Sequence, residues 1–317
     1  MKIPCLLIAY SRLDGIRNLL ASLDEEKVSR LYLAIDGSDN QSIREIQSEI
    51  AEFVSNYAKS HHIELKIWHR GRNLGAAISI ITAVDWFFSS EDFGIILEDD
   101  LIVGTDFMDF AQISFDRMVE DQDCLLFSGD QFLTKDLASD RITWTNYSLI
   151  WGWGTTRTKW SEMKDGILFY KIDFFRGIFN PVKNYWRVGA DRARLGKLDA
   201  WDIPLAHFML LENKFCITPP VNLVTNQGND IHALHTASDG YPLNIPTEKL
   251  TTLNFIKEER NLNKIRHYNK DLEKIVFKVK PKHSLLSIHY LFSKLFSKKT
   301  TDASRLVDRV SAIEIPK

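Results

Sequence analysis

Gly94-Ile95-Ile96-Leu97-Glu98-Asp99-Asp100-Leu101-Ile102-Val103 carries an apolar run straight into three carboxylates, and a second apolar run follows them. A short continuous apolar run opened by glycine reads as a strand buried on both faces, the pattern of a parallel sheet. Three adjacent acids at its carboxyl end oppose one another's ionisation unless a cation or a cluster of donors stands by. Hard oxygen ligands of this kind suit Mg²⁺ or Mn²⁺, and parallel sheets bind ligands in the crevice beyond the carboxyl ends of their strands. The plain alternative is a solvated acidic turn, and the neighbouring chain decides between the two.

On the N-terminal side, strands and helices alternate. Residues 3–9 form a buried apolar run, followed by Ser11 to Asp14 as turn and cap chemistry, and then by Ile16, Leu19, Leu20 and Leu23 at helical spacing. A second strand over 31–35 ends in Asp36-Gly37-Ser38-Asp39, a turn signal. Ile43, Ile46, Ile50, Phe53 and Val54 predict a helix over 43–57, and 63–68 predicts a third strand. The basic loop His69-Arg70-Gly71-Arg72-Asn73-Leu74-Gly75 leads into an apolar helix over 76–88 and then into the acidic strand. Beyond Asp100, a helix over 107–118 precedes a buried strand over 124–128. Such alternation with short loops predicts a doubly wound α/β sheet.

The chain has 317 residues, 44% hydrophobic and 26% charged, enough for the full core of one large α/β domain. Net charge is −2, so nothing global points to nucleic acid as a partner. Cys5, Cys124 and Cys216 are isolated in apolar settings and read as buried thiols of a reducing compartment. No stretch approaches the roughly 20 apolar residues of a membrane-spanning helix, and the first apolar run is too short for a signal peptide. From about residue 249 the composition turns to Lys, Arg and Asn, which sets expected units of 1–248 and 249–317. Within the second, 284–299 places Leu285, Ile288, Phe292, Leu295 and Phe296 on one helical face beside Lys294, Lys298 and Lys299. A basic amphipathic helix lies in a membrane interface, or packs on its own domain or on a partner. Residues from 299 on read as a tail. The expected location is the cytoplasm, with 284–299 as a route to peripheral contact with the inner face of the cell membrane.

Several residues are candidates for chemistry. Asp36, at the end of a strand, is placed to accept hydrogen bonds from a nucleobase or ribose, or is an ordinary turn residue. Arg70 and Arg72 stand at a helix start, where guanidinium groups and open backbone N–H groups favour phosphate, or they belong to a plain solvated loop. Neither a Walker pattern nor G-x-G-x-x-G is present. Trp151-Gly152-Trp153-Gly154 reads as a loop whose indoles, with Trp144 and Tyr147, wall a flat or sugar-like ligand or join the core. Trp201-Asp202-Ile203-Pro204 opens a helix that continues over 205–211, and Asp202 is either its N-cap or a general base. A strand over 215–217 and a polar loop over 225–236 follow, and the loop holds His232 and His235, either of which suits a metal or a phosphate or is simply exposed.

Taken in order, the Ser11-Arg12 turn, the strand ending in Asp36, the Arg72-Asn73-Leu74-Gly75 loop, Glu98-Asp99-Asp100, Trp151-Gly152-Trp153-Gly154, Trp201-Asp202 and the run from Pro220 to Thr236 resemble the GT-A nucleotide-sugar glycosyltransferases. The N-acetylglucosaminyltransferase I-like branch and related bacterial enzymes are the nearest in pattern, and the likeness covers about residues 3–236. It implies a Rossmann-like, mostly parallel sheet flanked by helices, here with a C-terminal helical extension. It also implies roles. Asp100 would bind Mn²⁺ or Mg²⁺ bridging the donor diphosphate, and Asp99 would meet the ribose or a metal-bound water, supported by Glu98. Asp36 would bind the base. Arg72 would meet the phosphates, with Arg12 and Asn73 beside them. Trp151, Gly152, Trp153 and Trp201 would line the sugar and acceptor pocket. Asp202 matches the catalytic base of inverting enzymes, and His235 a second metal ligand or diphosphate contact. The implied reaction moves a sugar, from a UDP-sugar by preference, to a hydroxyl of a glycan or lipid-linked acceptor in bacterial surface polysaccharide synthesis. Two other readings compete: a sugar-1-phosphate nucleotidyltransferase, and a non-catalytic carbohydrate-binding protein.

Overall fold

The computed structural model describes residues 1–133, 141–170, 180–228, 244–252, 260–280 and 305–316. The first half alternates as its apolar runs predict: β1 (Ile3–Ala9), α1 (Leu13–Ser22), β2 (Val28–Ile35), α2 (Gln41–Ser60), β3 (Glu64–His69), α3 (Ala76–Ser90) and β4 (Phe93–Glu98). The chain continues as β5 (Leu101–Val103), α4 (Phe107–Glu120), β6 (Cys124–Ser128), β7 (Thr143–Thr145), β8 (Trp153–Thr156), α5 (Arg157–Phe169), α6 (Pro181–Arg194) and α7 (Asp202–Glu212). It then forms β9 (Phe215–Thr218), β10 (Val224–Asn226), α8 (Leu262–Asp271), which runs on as a π-helical turn over Leu272–Val276, and α9 (Leu306–Ser311).

Eight strands form one sheet in the order β3-β2-β1-β4-β8-β6-β9-β7, mostly parallel, with β8 and β7 reversed. Every residue of β1 is buried, because helices cover both faces of the sheet. Alternate side chains enter opposite cores. Cys5, Leu7 and Ala9 join Leu31, Leu33, Ile95 and Leu97 under α1, α2 and α4. Leu6 and Ile8 join Tyr32, Ala34 and Ile96 under α3, α5 and α7. Strand order runs outward from β1 to β2 and β3 on one side and to β4 on the other. The carboxyl ends of β1 and β4 therefore flank the point where the order reverses, which is where an open α/β sheet leaves a crevice.

Two expectations are corrected. The Trp151–Gly154 stretch is not all loop: Trp153–Thr156 is β8, inserted antiparallel between β4 and β6. The glycines allow this. A Cβ on Gly154 would lie 2.4 Å from the Phe127 ring, and Gly152 holds a φ of +60° that side chains resist. Helices α5 and α6 had no sequence expectation. The segment from 299 on is not simply a tail, since α9 packs on α3, α5 and α6 and buries Leu306 and Val310 in the main core. Tyr268, Leu272, Val276 and Phe277 enter the same core, so the described parts of 249–317 pack into the sheet's own hydrophobic layers. The basic stretch 284–299 lies outside the described residues. Among the described residues no helix is long and apolar enough to cross a membrane. Cys5, Cys124 and Cys216 are buried free thiols, as expected.

Candidate active site

The three acids leave the end of β4 in different directions. Asp99 turns inward and is only 4% exposed. Its Oδ2 accepts from the Tyr10 backbone N–H at 2.9 Å and its Oδ1 from Arg12 Nη1 at 3.0 Å. Burial pushes its carboxyl above the ordinary range, while Arg12 and the Tyr10 N–H pull it back. Asp100 is half-buried, with Oδ2 3.7 Å from the same guanidinium. The Gln227 N–H donates to its carbonyl at 2.8 Å, and Gly228 approaches so closely that a Cβ there would lie 2.5 Å from Asp100 Oδ2. The antiparallel β5–β10 pair brings this late segment over the acids.

Glu98 shows how much negative charge collects here. Burial first, then the like charges of Asp100, Asp99 and Asp202, push its carboxyl up to about 8, against a smaller opposing pull from Arg12. Asp202 is therefore within electrostatic reach of the acidic rim although it lies far along the chain. It is the first residue of α7, not the cap: Trp201 holds the N-cap position and makes no side-chain cap bond. The capping explanation of Asp202 is thereby replaced by a place in the first turn, where the helix dipole favours a carboxylate.

The donor-side expectations divide. Asp36, 6% exposed, closes the end of β2 and is spent on backbone: both its oxygens accept from the Leu74 N–H at 3.1 Å, and Oδ1 also from the Gly37 N–H at 3.1 Å. It ties two loops together. Arg70 is not a phosphate ligand, because it is buried under the sheet's edge. It stacks on Trp68 at 4.1 Å and donates to Ser79 Oγ, the Ser79 carbonyl and Thr82 Oγ1, each at 3.0 Å. Arg72 and Asn73 stay exposed, and Asn73 Oδ1 accepts from the Gly75 N–H at 2.8 Å. The N-terminus of α3, expected to offer open N–H groups, is already capped. Asp199 takes Ala76 N–H at 2.8 Å and Ala77 N–H at 2.9 Å.

The aromatic pocket is corrected more sharply. Trp153 is 1% exposed and Trp201 3% exposed; their rings stack at 5.2 Å within the core beside Trp160. They are interior packing, because β8 passes through the middle of the sheet. Trp151 stays half-buried, edge-on to Phe132 at 4.9 Å, and Gly152 packs against Val224 and Phe107. His235 lies outside the described residues. Among those described, no three His, Cys, Asp or Glu side chains gather as a metal-holding group.

Two buried polar residues had no sequence expectation. Gln47 is 0% exposed on α2. The signal was visible, since a glutamine stands in the apolar stripe that includes Ile43, Ile50 and Val54. Asp130, just past β6, is fully buried with Ser128 Oγ donating to it, and burial pushes its carboxyl up to about 7.

No protein-family model matches the chain, and no curated protein matches it. Among solved structures, the chain is similar to S. aureus TarS 1–349, with TM-score 0.43 and 10% identity over 72% of this chain and 61% of that one. It is similar to GalNAc-T7 with UDP, GalNAc and Mn²⁺, with TM-score 0.42 and 9% identity over 69% of this chain and 42% of that one. It is also similar to a UDP-glucose pyrophosphorylase complexed with UDP-glucose, with TM-score 0.35 and 10% identity over 69% of this chain and 90% of that one. The chain thus spans less than two thirds of the TarS and GalNAc-T7 chains, and likenesses this distant assign no role to any residue here.

Proposed function

We propose that the chain is a glycosyltransferase that moves a sugar from a nucleoside-diphosphate donor, preferably a UDP-sugar, to an acceptor hydroxyl with inversion. The observation that carries this reading is the Glu98-Asp99-Asp100 run at the carboxyl rim of β4, beside the point where strand order reverses, with Asp202 near enough for its charge to raise the Glu98 carboxyl. That crevice suits a nucleotide, and carboxylates at its rim suit a cation that would answer the charge of a departing diphosphate.

The residues divide the labour. Arg12 neutralises Asp99 and fixes the β1–α1 turn beside it. Asp100 keeps a negative charge that Mg²⁺ or Mn²⁺ would relieve, and Glu98, pushed up to about 8, holds its proton near neutral pH until a cation would draw it off. One or two protein carboxylates with phosphate and water would complete such a sphere. Bound there, the ion would supply Lewis-acid stabilisation of the diphosphate. Asp202, across the rim, takes the proton of the acceptor hydroxyl. The acceptor oxygen bonds to the anomeric carbon, that carbon's bond to the diphosphate oxygen breaks, and the nucleoside diphosphate leaves with the electron pair. Trp151, half-buried just before β8, would meet the acceptor in this reading.

Calorimetric titration with UDP-sugars and Mn²⁺, paired with a transfer assay, tests the reading. Asp100→Ala is expected to abolish metal-dependent donor binding. Asp202→Asn is expected to keep donor binding and lower transfer by about 10²-fold or more. Turnover of an NTP with a sugar phosphate, in place of a UDP-sugar, would transfer the site to nucleotidyl chemistry. Normal transfer by Asp202→Asn would remove it as the base.

A further inference from the structure

The carboxyl ends of β1 and β2 separate at the rim. Their last ladder bond runs from the Asp36 N–H to the Ala9 carbonyl at 3.2 Å. Beyond it, the Tyr10 and Asp36 carbonyls face no neighbouring strand. Gln47 reaches in from α2 and fills the gap: its Nε2 donates to the Tyr10 carbonyl at 3.1 Å and to the Asp36 carbonyl at 2.7 Å. Its Oε1 accepts from His69 Nε2 at 3.2 Å, so one side chain spans the ends of β1, β2 and β3. A polar group this deeply buried is costly to strip of its partners, and all of its bonds converge on the rim.

Both residues that Gln47 holds continue into the site. The Tyr10 N–H is the donor that orients Asp99, and Asp99 in turn holds Arg12. The Asp36 carboxylate grips the Leu74 N–H, and so carries the loop that presents Arg72 and Asn73. From the far side, Arg309 of α9 donates to the Leu74 carbonyl at 3.2 Å and closes the chain of bonds. We propose that Gln47 is a positioning residue for the donor site, setting the spacing between the Arg12–Asp99 pair on one side of the crevice and the Arg72–Asn73 loop on the other. The proposal rests on the nucleotide-sugar reading above. It assigns Gln47 no contact with the reacting atoms. Its effect falls on how well a nucleoside diphosphate is gripped, and less on the chemical step.

The test compares two variants of the full chain. Gln47→Met keeps length and volume but removes every hydrogen bond. Thr155→Val serves as the structural control: Thr155 is fully buried in mid-sheet on β8 and donates only to the Leu125 carbonyl at 2.6 Å and weakly to Met163 Sδ. Thermal midpoints and steady-state kinetics with a UDP-sugar and Mn²⁺ are measured for both. Gln47→Met is expected to raise the donor KM by about tenfold or more, with a smaller fall in kcat. Thr155→Val is expected to lower the thermal midpoint and leave the donor KM unchanged. Gln47→Glu keeps the shape but turns a carboxylate on the two carbonyls; it carries the same expectation and serves if the methionine variant does not fold. A wild-type donor KM in the Gln47 variants, or an equal rise in Thr155→Val, overturns the positioning role alone. Failure of the wild-type chain to bind any nucleotide-sugar overturns the reading on which it rests, and the positioning role with it.

Discussion

The guanidinium of Arg12 lies 3.0 Å from the inward-facing carboxylate of Asp99, binding the first turn after β1 to the acidic end of β4. The pair stands at the reversal of strand order, so a single contact closes the floor of the crevice. It also explains how three adjacent acids coexist. The middle one is answered from within the chain, Glu98 is pushed up to about 8 and keeps its proton near neutral pH, and half-buried Asp100 is left with the remaining charge.

Arg12→Ala leaves the Asp99 carboxylate buried with the backbone N–H groups of Tyr10 and residue 12 in place of the guanidinium. A loss on the order of 3 kcal/mol is expected, read by urea unfolding. A loss below about 0.5 kcal/mol would place the pair among solvated surface bridges.

Trp153 and Trp151 separate packing from recognition. Trp153→Ala opens a cavity between β8 and α7 and is expected to cost about 3–5 kcal/mol. Trp151→Ala is expected to cost less and to raise the KM for the acceptor. Unfolding curves and acceptor kinetics on the two variants check both halves. An unchanged acceptor KM in Trp151→Ala would leave that ring without a role at the site.

Gly228→Ala forces a methyl group to within 2.5 Å of Asp100 Oδ2 and 2.9 Å of Asn226 Oδ1. One of these must move. A stability change of about 1–3 kcal/mol with a larger loss of metal-dependent donor affinity is expected, read by thermal shift with and without Mn²⁺. Equal affinity in the variant would show that Asp100 adjusts without consequence.

Asp130 gives a pH signature of known sign. Its folded value, about 7, lies above its ordinary 3.8, so the folded state holds the proton longer than the unfolded state does. Its contribution to stability is complete below pH 3.8 and is lost as pH rises toward 7. Asp130→Asn is expected to gain stability relative to wild type across that window, while keeping an oxygen for the Ser128 hydroxyl. Parallel stability curves for the two proteins would refute a raised carboxyl at this position.

Much of the fold was legible along the chain. The runs at 3–9, 31–35 and 124–128 and the helical spacing of Ile43, Ile50 and Val54 match β1, β2, β6 and α2 closely. Doubly covered parallel strands need continuous apolar runs, and short loops keep neighbours in order. β8 was missed because its four residues, Trp-Gly-Thr-Thr, have neither the length nor the hydropathy of a central strand. Gly154 marks where β8 and Phe127 crowd together, and that contact exists only once the sheet is built. Arg70 and Asp199 were misread or left without a role for a related reason. A charged residue beside a helix start looks the same whether it awaits an anion or already serves the fold.

By itself, the sequence determined the alternating α/β architecture and the position of three acids at the end of a strand, because burial pattern and local spacing are properties of neighbouring residues. Only the tertiary structure decided which acids face inward, that Asp202 adds its charge to Glu98, that Trp153 and Trp201 are core, and that Gln47 joins three strand ends. Those outcomes depend on distances between segments far apart in the chain, and such distances exist only after the sheet has closed around its two cores.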